Sequence, residues 1–352
     1  MPKTALIAMS GGVDSSVAAI CMQQAGYVCH GVMLRLHDEG DDAAAVAEAD
    51  ARAVADRLGM PFTVLDRRRV FADEVIRPFI EAYEQGRTPN PCITCNRCMK
   101  FAGLHRYAAE NGMDMVVTGH YARVVFDGSR GRYALKKAKN LAKDQSYVLY
   151  NLTQEQLART CFPLGELPDK DTARALAEAY GFTNARKGDS QDVCFIPDGK
   201  YADFIRRTTG REYPEGDFVD TDGRVLGRHK GIIGYTVGQR KGLGLALPAP
   251  LYVRRKNMAD NTVLLTPESE LYTTRLIAEE FNWISGETPA TPVTVTAKTR
   301  YLAKEAPATA TVLPDGRVEV AVAAPQRAVT EGQAVVLYHD DEVVGGGTIC
   351  QA

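Results

Sequence analysis

The sequence predicts an α/β protein in three parts: a parallel-sheet domain over residues 1–205, a small β-rich middle module over 206–268, and a C-terminal antiparallel β-barrel over 269–352. Three observations carry this. The N-terminal portion alternates short apolar strands with stretches of helical periodicity. Near Gly210 the texture changes to short alternating runs broken by Gly, Pro and Asp-Gly. The chain, at 352 residues, is long enough for two or three separate cores.

Thr4 to Met9 is a short apolar run ending in Ser-Gly-Gly, after which Val17, Ala18, Ile20 and Cys21 recur at helical spacing. Tyr27 to Leu34 reads as a second strand, Ala43 to Leu58 as an Ala-rich helix closed by Gly59, and Phe62 to Leu65 as a third strand. This βαβαβ opening implies a parallel sheet with helices on both faces. Helical patterns follow over Val70 to Gln85 and Met99 to Asn111, and Met115 to Thr118 is a buried strand leading into Gly119-His120-Tyr121. In the last third, Val293 to Ala297, Ala308 to Val312, Arg317 to Val322 and Ala334 to His339 alternate as barrel strands do. Asp222-Gly223 and Asp315-Gly316 are hairpin signals, and Pro248, Pro250 and Pro267 mark joints.

Hydrophobic residues make up 45% and charged residues 24%, and no apolar run approaches the ~20 residues of a membrane span. The opening MPKTALIAMSGG lacks the zones of a signal peptide, so a soluble cytoplasmic protein is expected, with no membrane partner. A net charge of −2 excludes a globally basic coat for nucleic acid. Local stripes remain at Arg130 to Lys143, Arg206 with Arg207, and Arg224 to Lys241, and a solvated face explains any one of them equally well. Of eight cysteines, Cys92, Cys95 and Cys98 form a C-x2-C-x2-C run and Cys194 follows separately. Cys21, Cys29, Cys161 and Cys350 lie singly in apolar surroundings and read as buried thiols.

The strongest local signal is Ser10-Gly11-Gly12-Val13-Asp14-Ser15-Ser16 between the first strand and first helix. Glycines let the backbone turn tightly and bring N–H groups to an anion, and the helix N-terminus adds partial positive charge. A pyrophosphate fits such a turn; the bland alternative is a helix cap. G-x-G-x-x-G and G-x-x-x-x-G-K-[ST] are both absent, which argues against dinucleotide oxidoreductases and Walker-type kinases. Gly86 to Asn96 reads as a loop stiffened by Pro89 and Pro91 that projects Cys92 and Cys95 ahead of a helix beginning near Met99. Lys187 ahead of Cys194 predicts a depressed thiol pKa, as a nucleophile or sulfur carrier needs.

SGGVDSS resembles the PP-loop of ATP pyrophosphatases, which adenylate a substrate oxygen and release pyrophosphate. GRTPNPC-x-x-C-N, TGHYAR at Thr118, KDQSY at Lys143, DSQDVCFI at Asp189, YTVGQRKGLG at Tyr235, KTRY at Lys298 and the glycines near Gly332 and Gly345 narrow the likeness. From Met9 to about Gly347 the set resembles the bacterial tRNA-specific 2-thiouridylases. The resemblance implies a tRNA-uridine 2-sulfurtransferase using ATP and Mg2+ on the wobble uridine, position 34, of tRNAs for Lys, Glu and Gln. ATP would adenylate O2 of the base, and sulfur from a donor protein or sulfide would displace AMP. Ala8, Met9, Ser10, Gly11, Gly12, Val13, Asp14, Ser15, Leu34 and Gly119 would contact ATP, and Cys194 would carry the persulfide with Cys95 as its partner. Asn90, Pro91 and Cys92 would meet the target base, and His120, Lys143, Asp144, Gln145, Arg300, Tyr301 and Gln333 would contact tRNA.

Many members of that family carry aspartate where this chain has Cys92. A third thiol is a poorer base and a better soft-metal ligand, so Cys92, Cys95 and Cys194 are candidate ligands of a [4Fe–4S] cluster, with Cys98 a fourth ligand or a bystander. Metal-free persulfide–disulfide chemistry and a structural zinc stay open beside it. Two other readings also stand: a redox- or metal-sensing RNA-binding protein, and a thiolase of another tRNA position.

Overall fold

A computed structural model describes residues 2–37, 41–188 and 193–352. The first domain is built on an all-parallel five-stranded sheet in the order Phe62–Asp66, Val28–Arg35, Thr4–Ala8, Met115–Val117, Thr160–Cys161. Alternation along the central strand feeds two cores. Ala5 and Ile7 pack with Val17, Ile20 and Ala173 on one face, and Leu6 packs with Leu104 and Val116 on the other. The predicted helices on both faces are therefore present.

The helix expected from Met99 begins at Pro91 instead, running through Pro91–Cys95, a π-bonded stretch Asn96–Ala102, and Gly103–Glu110. Proline stiffens loops, but at the first helical position its missing N–H is no loss. Asn90 caps that start, its side chain accepting from the Cys92 N–H at 3.1 Å. Cys92 and Cys95 are thus helical residues rather than loop residues.

The middle module is a four-stranded sheet ordered Tyr252–Asn257, Thr262–Thr266, Gly216–Val219, Val225–His229. Its hairpin turns at Asp222-Gly223, where Gly223 has φ +78°. The module has no private core. Phe218, Val253 and Val263 share one cluster with Phe71, Phe79 and Tyr83 of the first domain and with Cys95 and Phe195.

Six antiparallel strands, Tyr272–Trp283, Val318–Arg327, Ala306–Val312, Val293–Lys298, Ala334–His339 and Glu342–Gln351, close into the barrel because the first also pairs with the last. The hairpin Ala122–Asp127 and Arg132–Lys137, from within the first domain, extends this sheet alongside Glu342. It is pinned there by Arg130 on Glu342 at 2.9 Å and Lys136 on Asp341 at 3.0 Å. Much of the Arg130 to Lys143 stripe is paired in this way, Lys137 with Glu305 at 2.6 Å and Lys139 with Glu166 at 2.7 Å. Arg224 likewise meets Asp220 at 2.9 Å. No helix among the described residues is long and apolar enough to cross a membrane.

Lys256 is a local defect in this packing. It is 7% exposed, its ammonium nitrogen finds no hydrogen-bond partner among the described residues, and it lies 5.5 Å from the Tyr83 ring centroid. Burial lowers its pKa from 10.5 to about 8. The unfolded chain therefore holds more protons between those two values, so this group makes stability rise with pH across that window and penalises the fold below it. Lys256→Met is expected to stabilise the protein at pH 7 by roughly 2 kcal/mol, a gain that shrinks as pH approaches ~10. Urea unfolding at the two pH values measures it, and an equal gain at both would show that the ammonium is not the cause.

Candidate functional site

The Ser10–Ser16 turn is held from within. Gly11 has φ +70°, and a Cβ there would lie 2.3 Å from the Ala47 carbonyl oxygen, so only glycine fits. Gly12 is an extended N-cap with φ −94°, and its Cβ would only touch the Ser10 hydroxyl at 3.4 Å. Ser15 and Ser16 donate to the Gly12 carbonyl at 2.9 and 3.1 Å, and the Ser10 N–H donates to the Ser15 hydroxyl at 3.2 Å. Gly119 closes the turn from the neighbouring strand end. Its Cβ would sit 2.8 Å from both the Asp14 carbonyl carbon and the Ser15 nitrogen. Met9 and Val13 are buried beneath, whereas Ala8 and Leu34 are half-buried and Ser10 is exposed.

Residues that sequence reasoning missed complete the turn. The Lys170 ammonium donates to both Asp14 carboxylate oxygens at 2.7 Å, and the Tyr121 hydroxyl donates to Asp14 Oδ1 at 2.9 Å. A signal existed: Lys170 is the first residue of the Lys170–Ala179 helix, where the dipole disfavours a cation unless something else holds it. Asn184, 3% exposed, donates through Nδ2 to the Gly11 carbonyl at 3.1 Å and to the Ser16 hydroxyl at 3.0 Å.

Lys187 is engaged here too, with Asp50 at 2.8 Å and the Gly11 carbonyl at 3.5 Å. It does not depress the Cys194 thiol. Burial pushes Cys194 up, with the Cys92 charge adding to the rise, and the opposing cation is Lys100. Burial also raises Cys92 and drives Cys95 to about 12, again against Lys100. Cys92 and Cys194 have accessible surface and Cys95 is buried.

The three thiols share one neighbourhood: the charges of Cys194 and Cys92 are both felt at Cys95. Phe195 anchors the end of its segment, packing edge-on to Phe71 and Phe79 with ring centroids 5.5 Å away in each case. Asp189 to Asp192, the first half of the DSQDVCFI motif, lie outside the described residues. Among the described residues no three His, Cys, Asp or Glu side chains converge on a point where a metal ion would sit.

The barrel grips the segment before Asn90. The Thr88 N–H donates to the Glu331 carbonyl at 2.9 Å, Gln333 Nε2 donates to the Thr88 carbonyl at 2.7 Å, and a Cβ on Gly332 would meet the Thr88 nitrogen at 3.0 Å. Tyr301 reaches the other side of this junction. Its hydroxyl donates to the Asp144 carbonyl at 3.2 Å, and burial, Asp144 and Cys92 all raise its pKa.

Several residues expected to face a partner have side chains engaged inside the protein. Asp144 accepts from the Ala138 N–H at 3.0 Å and the Ser146 hydroxyl at 2.7 Å, and Gln145 accepts from the Tyr121 N–H at 3.0 Å. Arg300 donates to the carbonyls of Arg327, at 2.9 Å, and Ala328. His120 pairs Nδ1 with the Thr118 hydroxyl at 2.7 Å between Phe101 and Phe162, and burial lowers its pKa. Pro91 is buried, and Lys143 is half-buried.

A parallel sheet whose first strand turns through a glycine-gated anion cradle, with thiols packed against the adjoining module, defines a PP-loop α/β protein with a cysteine centre. Residues 3–198 match the tRNA methyl transferase HUP domain, 202–267 the tRNA methyl transferase PRC-barrel domain, and 273–349 the aminomethyltransferase beta-barrel domain. The chain is 46% identical to the tRNA-specific 2-thiouridylase MnmA of Clostridioides difficile strain 630, across 99% of this chain and 98% of that one. It is likewise 46% identical to the tRNA-specific 2-thiouridylase MnmA of Acetivibrio thermocellus, across 99% of both chains. A solved 4-thiouridine synthetase in complex with RNA and bound ATP is a distant likeness, at TM-score 0.39 and 17% identity, covering 59% of this chain and 50% of that one. The chain belongs to the tRNA-specific 2-thiouridylase family.

Proposed function

We propose that this protein is a cytoplasmic, ATP-dependent tRNA-uridine 2-sulfurtransferase that makes 2-thiouridine at wobble position 34 of tRNAs for Lys, Glu and Gln. The observation that carries the reading is an intact PP-loop in the same domain as Cys92, Cys95 and Cys194, which lie close enough to feel one another's charge. ATP with Mg2+ would lie against Ala8 to Ser15, Leu34 and Gly119. O2 of the uridine attacks the α-phosphorus and pyrophosphate leaves. Adenylation is needed because a uracil carbonyl oxygen is a poor leaving group, whereas AMP is a good one.

Sulfur then arrives as the outer sulfur of a donor protein's persulfide, which the Cys194 thiolate takes with the donor thiolate leaving; free sulfide can load Cys194 only by opening a Cys95–Cys194 disulfide, with the Cys95 thiolate leaving. The terminal sulfur of the Cys194 persulfide attacks C2 and AMP departs with the C–O bonding pair. The Cys95 thiolate next attacks the Cys194 sulfur. The S–S bond breaks toward the base, leaving 2-thiouridine and a Cys95–Cys194 disulfide, which an external dithiol must reduce before the next turnover. Burial makes the Cys95 thiolate costly, so this step needs the local cation Lys100 and the approach of the reaction partners. In a [4Fe–4S] route Cys92, Cys95 and Cys194 would hold the cluster, which would supply the sulfur-carrying site in place of the Cys194 persulfide.

The test uses purified protein, ATP, a persulfide donor and unmodified tRNA. AMP and pyrophosphate should form in equal amounts only when tRNA is present, with one 2-thiouridine at position 34 by nucleoside mass spectrometry. Sulfur at another position, or nucleotide binding without turnover, would favour instead a different thiolase or an RNA-binding sensor.

A further inference from the structure

The two most exposed large apolar side chains among the described residues are Leu302, at 90%, and Leu141, at 69%. They are far apart in sequence yet flank the two ends of one hydrogen bond, because Tyr301, next to Leu302, donates to the carbonyl of Asp144, three residues after Leu141. Each sits on a short turn: Leu141 opens the 3-10 turn Leu141–Lys143, and Leu302 follows the Val293–Lys298 strand. Exposed leucines scattered singly need no explanation. Two that flank the Tyr301–Asp144 hydrogen bond, where the Tyr301 hydroxyl feels Cys92, are a different matter.

Two lysines lie near this junction, with carboxylates among them, since Asp144 and Glu305 both act on Lys298. Lys298 lies 5.7 Å from the Tyr301 ring centroid, and Lys304 is exposed with no acidic partner among the described residues. An apolar tip bordered by lysines beside a reactive centre suits a polyanion whose bases must leave their stack. It suits a protein partner less well, since the apolar surface is two isolated tips rather than a continuous patch.

We infer that Leu302 and Leu141 are wedge residues for the RNA loop, inserting against the bases on either side of the target uridine and holding that uridine unstacked toward Cys92. The inference rests on the proposed tRNA substrate and assigns to these two leucines a positioning role in it. Chemistry at C2 needs the base out of its stack, and an apolar side chain that fills the vacated space offsets part of the unstacking cost.

The test is a tRNA anticodon stem-loop carrying a fluorescent base analogue next to the target position, which brightens when unstacked. The wild-type protein should brighten it on binding. Leu302→Ala and the double variant Leu302→Ala/Leu141→Ser should bind with an affinity reduced about three- to tenfold and lose most of the brightening, with unchanged thermal midpoint and unchanged ATP affinity. Leu302→Met should restore both signals. This arm needs no sulfur transfer, so it decides the wedge separately from the proposed reaction. Wild-type brightening in the folded double variant overturns the inference. So does normal brightening combined with a selective loss of sulfur delivery from a protein donor, which would reassign the leucines to a donor-docking surface.

Discussion

Cys194→Ser is expected to abolish 2-thiouridine formation, a loss on the order of a thousandfold or more, as for removal of a covalent nucleophile. The tRNA-dependent release of pyrophosphate should survive, because Cys194 lies outside the Ser10–Ser16 turn and the Gly119 contact, the proposed nucleotide cradle. Cys95→Ser should stop turnover at a later stage, leaving a tRNA–protein adduct through Cys194 that a small thiol releases. Cys92→Asp should stay active and Cys98→Ala should be silent. In the metal-free route the purified protein is colourless, and activity does not follow iron content. Quantifying thiouridine, pyrophosphate and iron in the same samples separates these outcomes. Iron that disappears with each of Cys92, Cys95 and Cys194, together with activity, would replace the metal-free route by one in which the three thiols hold a cluster.

The legible parts of the molecule were those in which one chemical rule acts alone. The apolar run Thr4 to Met9 ending in Ser-Gly-Gly could only be a strand entering a tight turn, and Gly11, with φ +70°, confirms the turn. The Asp-Gly pairs at Gly223 and Gly316 turned as hairpins do, with φ +78° and +85°. What stayed hidden depended on partners distant in sequence. Lys170 and Asn184 support the Ser10–Ser16 turn from more than 150 residues away, and neither has a local pattern that names Gly11 or Asp14 as its target. The Ala122–Asp127 and Arg132–Lys137 hairpin reads locally as part of the first domain, yet it pairs with the final strand of the barrel. Lys187 is hidden for the same reason: nearness in sequence points to Cys194, but the ammonium folds back onto Asp50, and burial sets the thiol. Pro91 misled because proline both breaks and begins helices, and the cap on Asn90 decides which.

Gly119→Ala is expected to disable ATP use more completely than any single change within the turn other than at Gly11. The added methyl would lie 2.8 Å from the Asp14 carbonyl carbon and the Ser15 nitrogen, and both are main-chain atoms of the first helical turn, which cannot rotate aside as a side chain can. The turn must therefore move. Doing so shifts the N–H groups proposed to face the phosphate and draws Asp14 away from Lys170, now at 2.7 Å, and from the Tyr121 hydroxyl at 2.9 Å. A displacement of this kind near reacting groups lowers kcat about a hundredfold. The ATP KM should rise as well, and overpacking should lower stability by about 1–3 kcal/mol without unfolding the domain. Gly128→Ala is the internal control, because a Cβ there meets nothing within 4 Å. Pyrophosphate release against ATP concentration, measured beside a urea titration, distinguishes a displaced turn from a collapsed fold. A stable Gly119→Ala protein with the kinetics of the Gly128→Ala control would mean that nucleotide binds elsewhere than the Ser10–Ser16 turn.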